Sequence, residues 1–255
     1  MKDEGAGAGL SHAFVLHRRD YSDTSLLVEL FASGLGRFPA IAKGARRRRN
    51  PASALLQPFQ PLWIGVVGRG EVRTLTRVEP AGRPFPLAGR ALPCAFYLNE
   101  LLVRLLGRQD PHDALFAFYH AALGGLDEGD LETILRQFEL RLLEELGYAP
   151  GLGRDGDTGL FVEPNLSYVV EAGQVPRRAL PGESAIAVCG ATLLALAGGA
   201  VLDAAQQREA RTLLRRLLGP HLGPKPLRSR ELFRQLSTRS VNASQDDCGA
   251  ASPKG

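Results

Sequence analysis

The sequence is short of several things, and each shortage excludes a class of protein. Cysteine occurs three times in 255 residues, as Cys94, Cys189 and Cys248. The three are widely separated and none sits in a CxxC pair, so neither a disulfide framework nor a zinc site is expected. No apolar run reaches the roughly 18 to 20 residues that a bilayer-spanning helix needs, so no membrane association is expected. The opening stretch, Met1–Gly9, lacks the basic and apolar parts of a secretory leader, and a cytoplasmic protein is expected.

Catalytic signatures are missing as well. There is no GxxxxGK(S/T) phosphate loop, no HExxH and no GxSxG. The five histidines are dispersed. His12 and His17 fall on opposite faces of one predicted strand, and His112 and His120 lie two turns apart on a predicted helix, so neither pair converges on a metal. The expectation is a protein that is not an enzyme and needs no cofactor or metal.

What is present is ordinary in amount and unusual in arrangement. A hydrophobic fraction of 44% with 23% charged residues predicts a folded globular chain, and its length suits two domains. Arginine outnumbers lysine 27 to 4, a bias that reflects base composition and carries no functional weight here. The net charge is only +4, but residues 1–83 carry +6, residues 84–207 carry −8 and residues 208–239 carry +7. Two basic blocks flank an acidic middle, which points to a polyanionic partner at one or both of them.

From Leu10 to about Pro80 the pattern is that of strands. Ala13–His17, Ser25–Phe31, Arg37–Ala42, Pro61–Val67 and Val72–Val78 are short β-branched or alternating runs, with turn residues at 33–36 and at 68–70. Five short strands in about 70 residues suit a closed barrel, of the OB-fold or the SH3-like kind, because closure removes exposed edges. Pro80–Pro86 reads as a linker. Beyond it the period becomes helical over Leu92–Leu106, Asp113–Leu123, Leu131–Leu146, Asp203–Leu218 and Ser229–Leu236. Asp130 is placed to cap the third of these and Gly147 to end it, while Glu139, Glu144 and Glu145 read as its solvated face. Residues 149–188, rich in Gly, Pro and Asp, read as an irregular insertion with weak strands at Gly159–Val162 and Ser167–Val170. The fold class is therefore α+β: a five-stranded antiparallel barrel over residues 1–82, a helical domain over 83–238, and a tail, 239–255, expected to be disordered.

The sharpest local feature is Arg37, Lys43, Arg46, Arg47, Arg48 and Arg49, six positive charges in 13 residues without an acid among them. Each phosphate such a cluster neutralises releases condensed counterions, so it suits sequence-independent binding of nucleic acid. A loop charge run can equally be plain solvated surface. Arg18 and Arg19 join it as weaker candidates, with Arg69 and Arg73 beyond them. Phe31, Phe38, Phe59 and Trp63 are either core residues or platforms for stacked bases, the core being the commoner use. In the C-terminal block Arg211, Arg215 and Arg216 fall on one helical stripe, followed by Lys225, Arg228 and Arg230. On charge alone, DNA, RNA or an acidic protein segment would all fit.

Several ordered segments resemble one family, the bacterial DNA repair protein RecO: AFVLHRRDYSDTSLLVELF (13–31), GRFPAIAKGARR (36–47), LQPFQPL (56–62), LPCAFYLNELLVRLL (92–106), RQFELRLLEELGY (136–148) and GPKPLRSRELFRQL (223–236). The resemblance implies an OB-fold followed by a helical domain. It implies a non-catalytic recombination mediator that binds single- and double-stranded DNA, anneals strands, and with RecR helps load RecA onto DNA coated by single-strand-binding protein. Carried onto this sequence, the DNA surface falls on Arg37, Lys43, Arg46 to Arg49, Arg18 and Arg19. The acidic tail of single-strand-binding protein would dock on the helical domain, for which Arg136, Arg141, Arg215 and Arg216 are the candidates. Many members of the family carry a four-cysteine zinc module after the segment matching EELGY. Here Gly151–Gly182 has no cysteine, so ordinary packing is expected to hold that region together.

Overall fold

Alternation of apolar and polar residues over the first 80 positions builds strands whose inner faces fill a closed barrel. The computed structural model describes residues 9–48, 50–184, 186–229 and 231–233. Strands β1 (Ser11–Tyr21), β2 (Ser25–Ala32), β3 (Gly36–Ala42), β4 (Leu62–Val67) and β5 (Arg73–Pro80) close in the order β1-β2-β3-β5-β4, with a one-turn helix α1 (Ala52–Leu55) between β3 and β4. This is the strand order of an OB-fold. One neighbour pair departs from the antiparallel expectation: β3 and β5 run parallel, joining Ala40 to Arg73 and Ile41 to Thr74. Ala13, Val15, Leu26, Val28, Leu30, Phe38, Ala40, Leu62 and Ile64 point inward and make the barrel core.

Sequence alternation alone would leave the outer face to water. Instead Phe14, Leu16 and Phe31 emerge on it and join a second core with helices α2 (Ala91–Leu105), α3 (Asp113–Glu128) and α4 (Leu131–Glu145). Phe14 and Phe31 are both fully buried, which stabilises the junction by about 1.5–3 kcal/mol per side chain. A bulge in β1 between Val15 and His17 puts Leu16 out of register with β2. The Leu16 carbonyl accepts from Asn99 Nδ2 at 3.0 Å, and the Tyr119 hydroxyl donates to Asn99 Oδ1 at 2.5 Å. Burial pushes the Tyr119 hydroxyl pKa up, so it stays a donor.

The expected linker is not a free spacer. Phe85 and Leu87 pack on the second core, and the Phe85 N–H donates to the Phe59 carbonyl at 3.1 Å. The β2–β3 hairpin is tied across the junction too, with Ser33 Oγ and the Gly34 N–H both donating to Asp113 Oδ1, at 2.9 and 2.6 Å. Gly36 (φ +68°) begins β3 so close to Asp110 that an added Cβ would overlap its backbone. Barrel and helices therefore share a packed and hydrogen-bonded junction.

Helix α4 is the axis of the helical part. Its Leu135, Phe138 and Leu142 face the barrel side, whereas Leu140 and Leu143 face a third core with α5 (Gly190–Ala197) and α6 (Ala204–Leu222). Asp130 caps it as expected, accepting from the Glu132 N–H at 3.1 Å, and Gly147 (φ +76°) follows its end. Two expectations needed correction. Helix α5 was not foreseen, because eight apolar and small residues between glycines do not distinguish a strand from a helix. Helix α6 runs past Gly219 and Pro220 to Leu222, which packs against both helical cores. Of the expected helix 229–236, residues 229 and 231–233 are described and are helical; the remainder and the 239–255 tail lie outside the described residues.

The 149–188 segment is more ordered than its composition suggests. β6 (Ser167–Val169) pairs with β7 (Arg177–Arg178) and β8 (Val188–Cys189), while 159–162 forms only an Arg154–Phe161 bridge. The expectation of packing alone also needs correction. Arg178 donates from Nε to Asp155 and from Nη2 to Glu163, each at 2.9 Å, and its N–H donates to Asp157 Oδ2 at 2.9 Å. Arg177 binds both oxygens of Glu183, at 2.7 and 2.8 Å, which together with the Leu180 N–H holds that carboxyl down to about 2. Charge pairs and the buried Tyr168 ring tie the segment together.

Candidate nucleic-acid interface

The basic residues near the barrel separate into free and committed groups. The loop after β3 is built by backbone turns: the Arg47 N–H donates to the Gly44 carbonyl at 3.1 Å, and Asn50 returns to it through Nδ2 at 3.0 Å. Gly44 adopts φ +68°, a left-handed conformation that glycine takes without strain. Ala45 is buried in the barrel, so the loop is anchored while its neighbours project outward. Lys43, Arg47 and Arg48 are exposed and have no carboxylate partner among the described residues. Arg49 lies outside the described residues.

Arg46 is half engaged. Its N–H donates to the Thr24 carbonyl at 2.9 Å, Nη1 donates to the Ser22 carbonyl at 3.0 Å, and Nη2 lies 3.0 Å from Asp20 Oδ2. These contacts pin the basic loop to the β1–β2 turn. Arg18 braces the far side of the same loop, its Nη1 donating to the Ser53 and Leu56 carbonyls at 3.1 and 3.3 Å. Arg19 is exposed on the outer face of β1, in a cross-strand row with Leu27 and Ile41. An open cleft of about 280 Å³ lies between Arg18, Arg19, Asp20, Leu26, Arg46 and Ser53. The sequence shows Asp20 beside Arg18-Arg19 but gives it no role, and nothing in it marks Ser53. The available signal was the acid directly after Arg18-Arg19, between the first two predicted strands.

Arg37 does not join this group. Its Nε and Nη2 donate to the Leu106 carbonyl at 3.1 and 2.8 Å, and Nη1 pairs with Glu29. The side chain is only 12% exposed, so it staples the barrel to the end of α2. Arg73 is likewise used internally, its guanidinium 4.5 Å above the Phe38 ring, whereas Arg69 is exposed in the β4–β5 turn. Of the four aromatics, Phe31, Phe38 and Phe59 are core residues and Trp63 is exposed. Trp63 pairs with His12 in register, near the other end of β1 from Arg18, roughly 20 Å away along the strand. The structure brings no exposed aromatic of this set into the basic cleft.

In the helical part, the four arginines considered for a protein partner are not gathered into one patch. Arg136 is buried, with Nη1 3.0 Å from Glu139 Oε2 but off hydrogen-bond alignment, and the Tyr97 hydroxyl donates to Glu139 Oε1 at 2.6 Å. Glu139 thus belongs to the interior, not to the solvated face expected for it. Burial pushes its carboxyl above the usual range, and Arg136 opposes that rise. Arg141 is paired on its own helix with Glu144 and Glu145, at 3.0 and 2.7 Å. Arg216 donates to the Val170 and Ile186 carbonyls, both at 2.9 Å, and so ties α6 to the insertion. Only Arg215 of the four is exposed and without a partner among the described residues. Arg211 pairs with Glu132 at 2.5 Å, Lys225 and Arg228 are exposed, and Arg230 lies outside the described residues.

Fold and site together define a basic OB-fold protein, with an arginine-lined barrel end braced by a fused helical domain. No group of histidine, cysteine and acidic side chains suited to hold a metal occurs among the described residues. No described helix is long and apolar enough to cross a membrane. Residues 10–83 match the family Recombination protein O N terminal, and residues 87–231 match Recombination protein O C terminal. The chain therefore belongs to the recombination protein O family. It is 48% identical over 231 residues to the DNA repair protein RecO of Methylococcus capsulatus, covering 89% of this chain and 94% of the relative. It is 44% identical over 227 residues to the protein of the same name from Nitrosospira multiformis, covering 88% and 94%. The corresponding protein of Yersinia enterocolitica is 43% identical over 232 residues, covering 89% and 95%.

Proposed function

We propose that this protein is a non-enzymatic mediator of DNA repair and recombination that holds single- and double-stranded DNA on the basic end of its barrel. The observation that carries the reading is the anchored loop on which Lys43, Arg47 and Arg48 stand exposed without carboxylate partners, beside Arg19 and Arg46. Unpaired cations on a fixed support bind phosphates with little ordering cost, and the affinity arises from counterion release rather than base recognition. Two strands neutralised at such a surface repel each other less, which favours annealing. The helical domain, RecR and the acidic tail of single-strand-binding protein would then bring RecA to the same DNA, in the cytoplasm at the nucleoid. Family membership supports this context, and Arg215 is the one residue of the four considered for the tail that is free to take part.

The test replaces Lys43, Arg47 and Arg48 together by Ala and measures affinity for a single-stranded oligonucleotide across salt concentrations. Three lost phosphate contacts should weaken binding and reduce the slope of log K against log salt by about 2. A melting temperature like that of the parent is expected, because none of the three side chains has an interior partner. Unchanged affinity and slope would remove the loop from the interface. Annealing of complementary strands coated by single-strand-binding protein, with and without this protein, tests the wider role.

A further inference from the structure

We propose that the cleft beside Arg46 is a phosphodiester subsite that the chain keeps filled with its own Asp20 carboxylate until nucleic acid displaces it. The inference rests on the DNA-binding reading above and adds a resident competitor to it. The two terminal nitrogens of Arg46 have different partners. Nη1 is spent on the Ser22 carbonyl, while Nη2 faces the cleft and lies 3.0 Å from Asp20 Oδ2. A carboxylate and the non-bridging oxygens of a phosphodiester offer a guanidinium the same acceptor geometry. Asp20 therefore stands where a phosphate would stand.

Three features make the placeholder displaceable. The Asp20 side chain is 69% exposed, so its ion pair is a surface pair of small worth. Asp20 is near the end of β1, close to a three-residue turn, and no other hydrogen bond to its side chain occurs among the described residues. The cleft around it is walled by Arg18 and Arg19, which favour any anion placed there. Its volume of about 280 Å³ corresponds to roughly nine waters of liquid, enough for a phosphate group with part of its hydration.

Exchange of one anion for another has a thermodynamic signature. When phosphate replaces Asp20, the freed carboxylate gathers cations as the phosphate loses them, and the net release from this contact is small. Without the Asp20 charge the full release is realised. The experiment compares parent, Asp20→Asn, Asp23→Asn, Arg46→Ala and the double variant Asp20→Asn with Arg46→Ala, each titrated with a single-stranded oligonucleotide over a salt series. Asp23 is the control, an exposed acid of the adjoining turn without a partner among the described residues.

Asp20→Asn should bind about three- to five-fold more tightly than the parent, with a salt slope steeper by about 0.7. Asp23→Asn should gain less, and in the Arg46→Ala background the Asp20→Asn gain should shrink to that of the control. Equal gains from Asp20→Asn and Asp23→Asn, a gain that persists without Arg46, or weaker binding by Asp20→Asn would each overturn the proposal. Failure of the parent to bind nucleic acid at all would instead defeat the DNA-binding reading. Thermal unfolding of each variant separates lost folding from lost binding, and Arg46→Lys, which keeps the charge, should restore part of the Asp20→Asn gain.

Discussion

The basic end of the barrel and the helical domain use the same residue type for opposite purposes. In the helical domain Arg136, Arg141, Arg177, Arg178, Arg211 and Arg216 all have a carboxylate or carbonyl partner. In the loop after β3, Lys43, Arg47 and Arg48 have none among the described residues, and Arg46 shares one exposed acid. These six arginines of the helical domain are spent on holding together a region whose own acids outnumber its bases. The loop leaves its charge exposed and, among the described residues, largely unpaired. Charge counted along the chain cannot tell these apart; partners can.

The comparison is broken most severely by removing a committed arginine from the interior. Arg136→Ala leaves Glu139 buried without its counterion, and a loss of about 3–5 kcal/mol in urea unfolding is expected. The pH dependence follows from the sign of the shift. Burial raises the Glu139 carboxyl above its ordinary 4.5 in the folded state, so the folded protein binds the proton more tightly. The cost is absent below that ordinary value and grows as pH rises through the folded-state one. Removing Arg136 raises Glu139 further, so the variant should lose stability more steeply than the parent as pH rises. Equal pH profiles for the two would show that the pair is not coupled.

Arg37 sharpens the comparison, because sequence placed it with the loop and structure places it with the staples. Arg37→Ala removes charge-assisted bonds to the Leu106 carbonyl and Glu29, an expected loss of about 1.5–3 kcal/mol. Oligonucleotide affinity of the folded variant should keep the parent's salt slope. A slope reduced as much as that of a loop variant would return Arg37 to the interface.

Arg178→Ala is expected to act locally. It releases Asp155 and Glu163 together while leaving the backbone pairing of β7 in place. Limited proteolysis should then cut within residues 149–188 faster than in the parent, while the barrel stays resistant. Cleavage unchanged in rate would mean that Tyr168 and its neighbours hold the insertion unaided. The smallest effect on folding belongs to Arg47→Ala and Arg48→Ala, each within about 0.5 kcal/mol of the parent. Each should nevertheless lower the salt slope for single-stranded DNA by about 0.7. A marked change in melting temperature for either would erase the distinction between the two regions.

Much of the fold was legible because its signals are local. The five strands, the hairpin turns near 34 and 69, the Asp130 cap and the apolar stripe of α4 follow from periodicity and capping chemistry. Less legible were features that need a distant partner. The Leu16 bulge makes sense only with Asn99, 83 positions away, to receive its carbonyl. Glu139 looks like a solvated acid until α2 brings the Tyr97 hydroxyl to it. Of the candidate interface, the loop Lys43 to Arg48 was visible as a run, while the contact of Asp20 with Arg46 was not.

By itself, then, the sequence determined the order of the elements, the barrel's inward row and the position of the basic loop, because side-chain periodicity and turn chemistry act over a few residues. Tertiary structure alone decided which charges are free. Arg37 is occupied by a carbonyl 69 positions along the chain, Arg216 by one 46 positions away, and Arg47 by none among the described residues. The physical reason is that an ion or hydrogen bond satisfies whichever group folding brings within about 3 Å, and that proximity is a property of the packed chain rather than of the run in which the arginine stands.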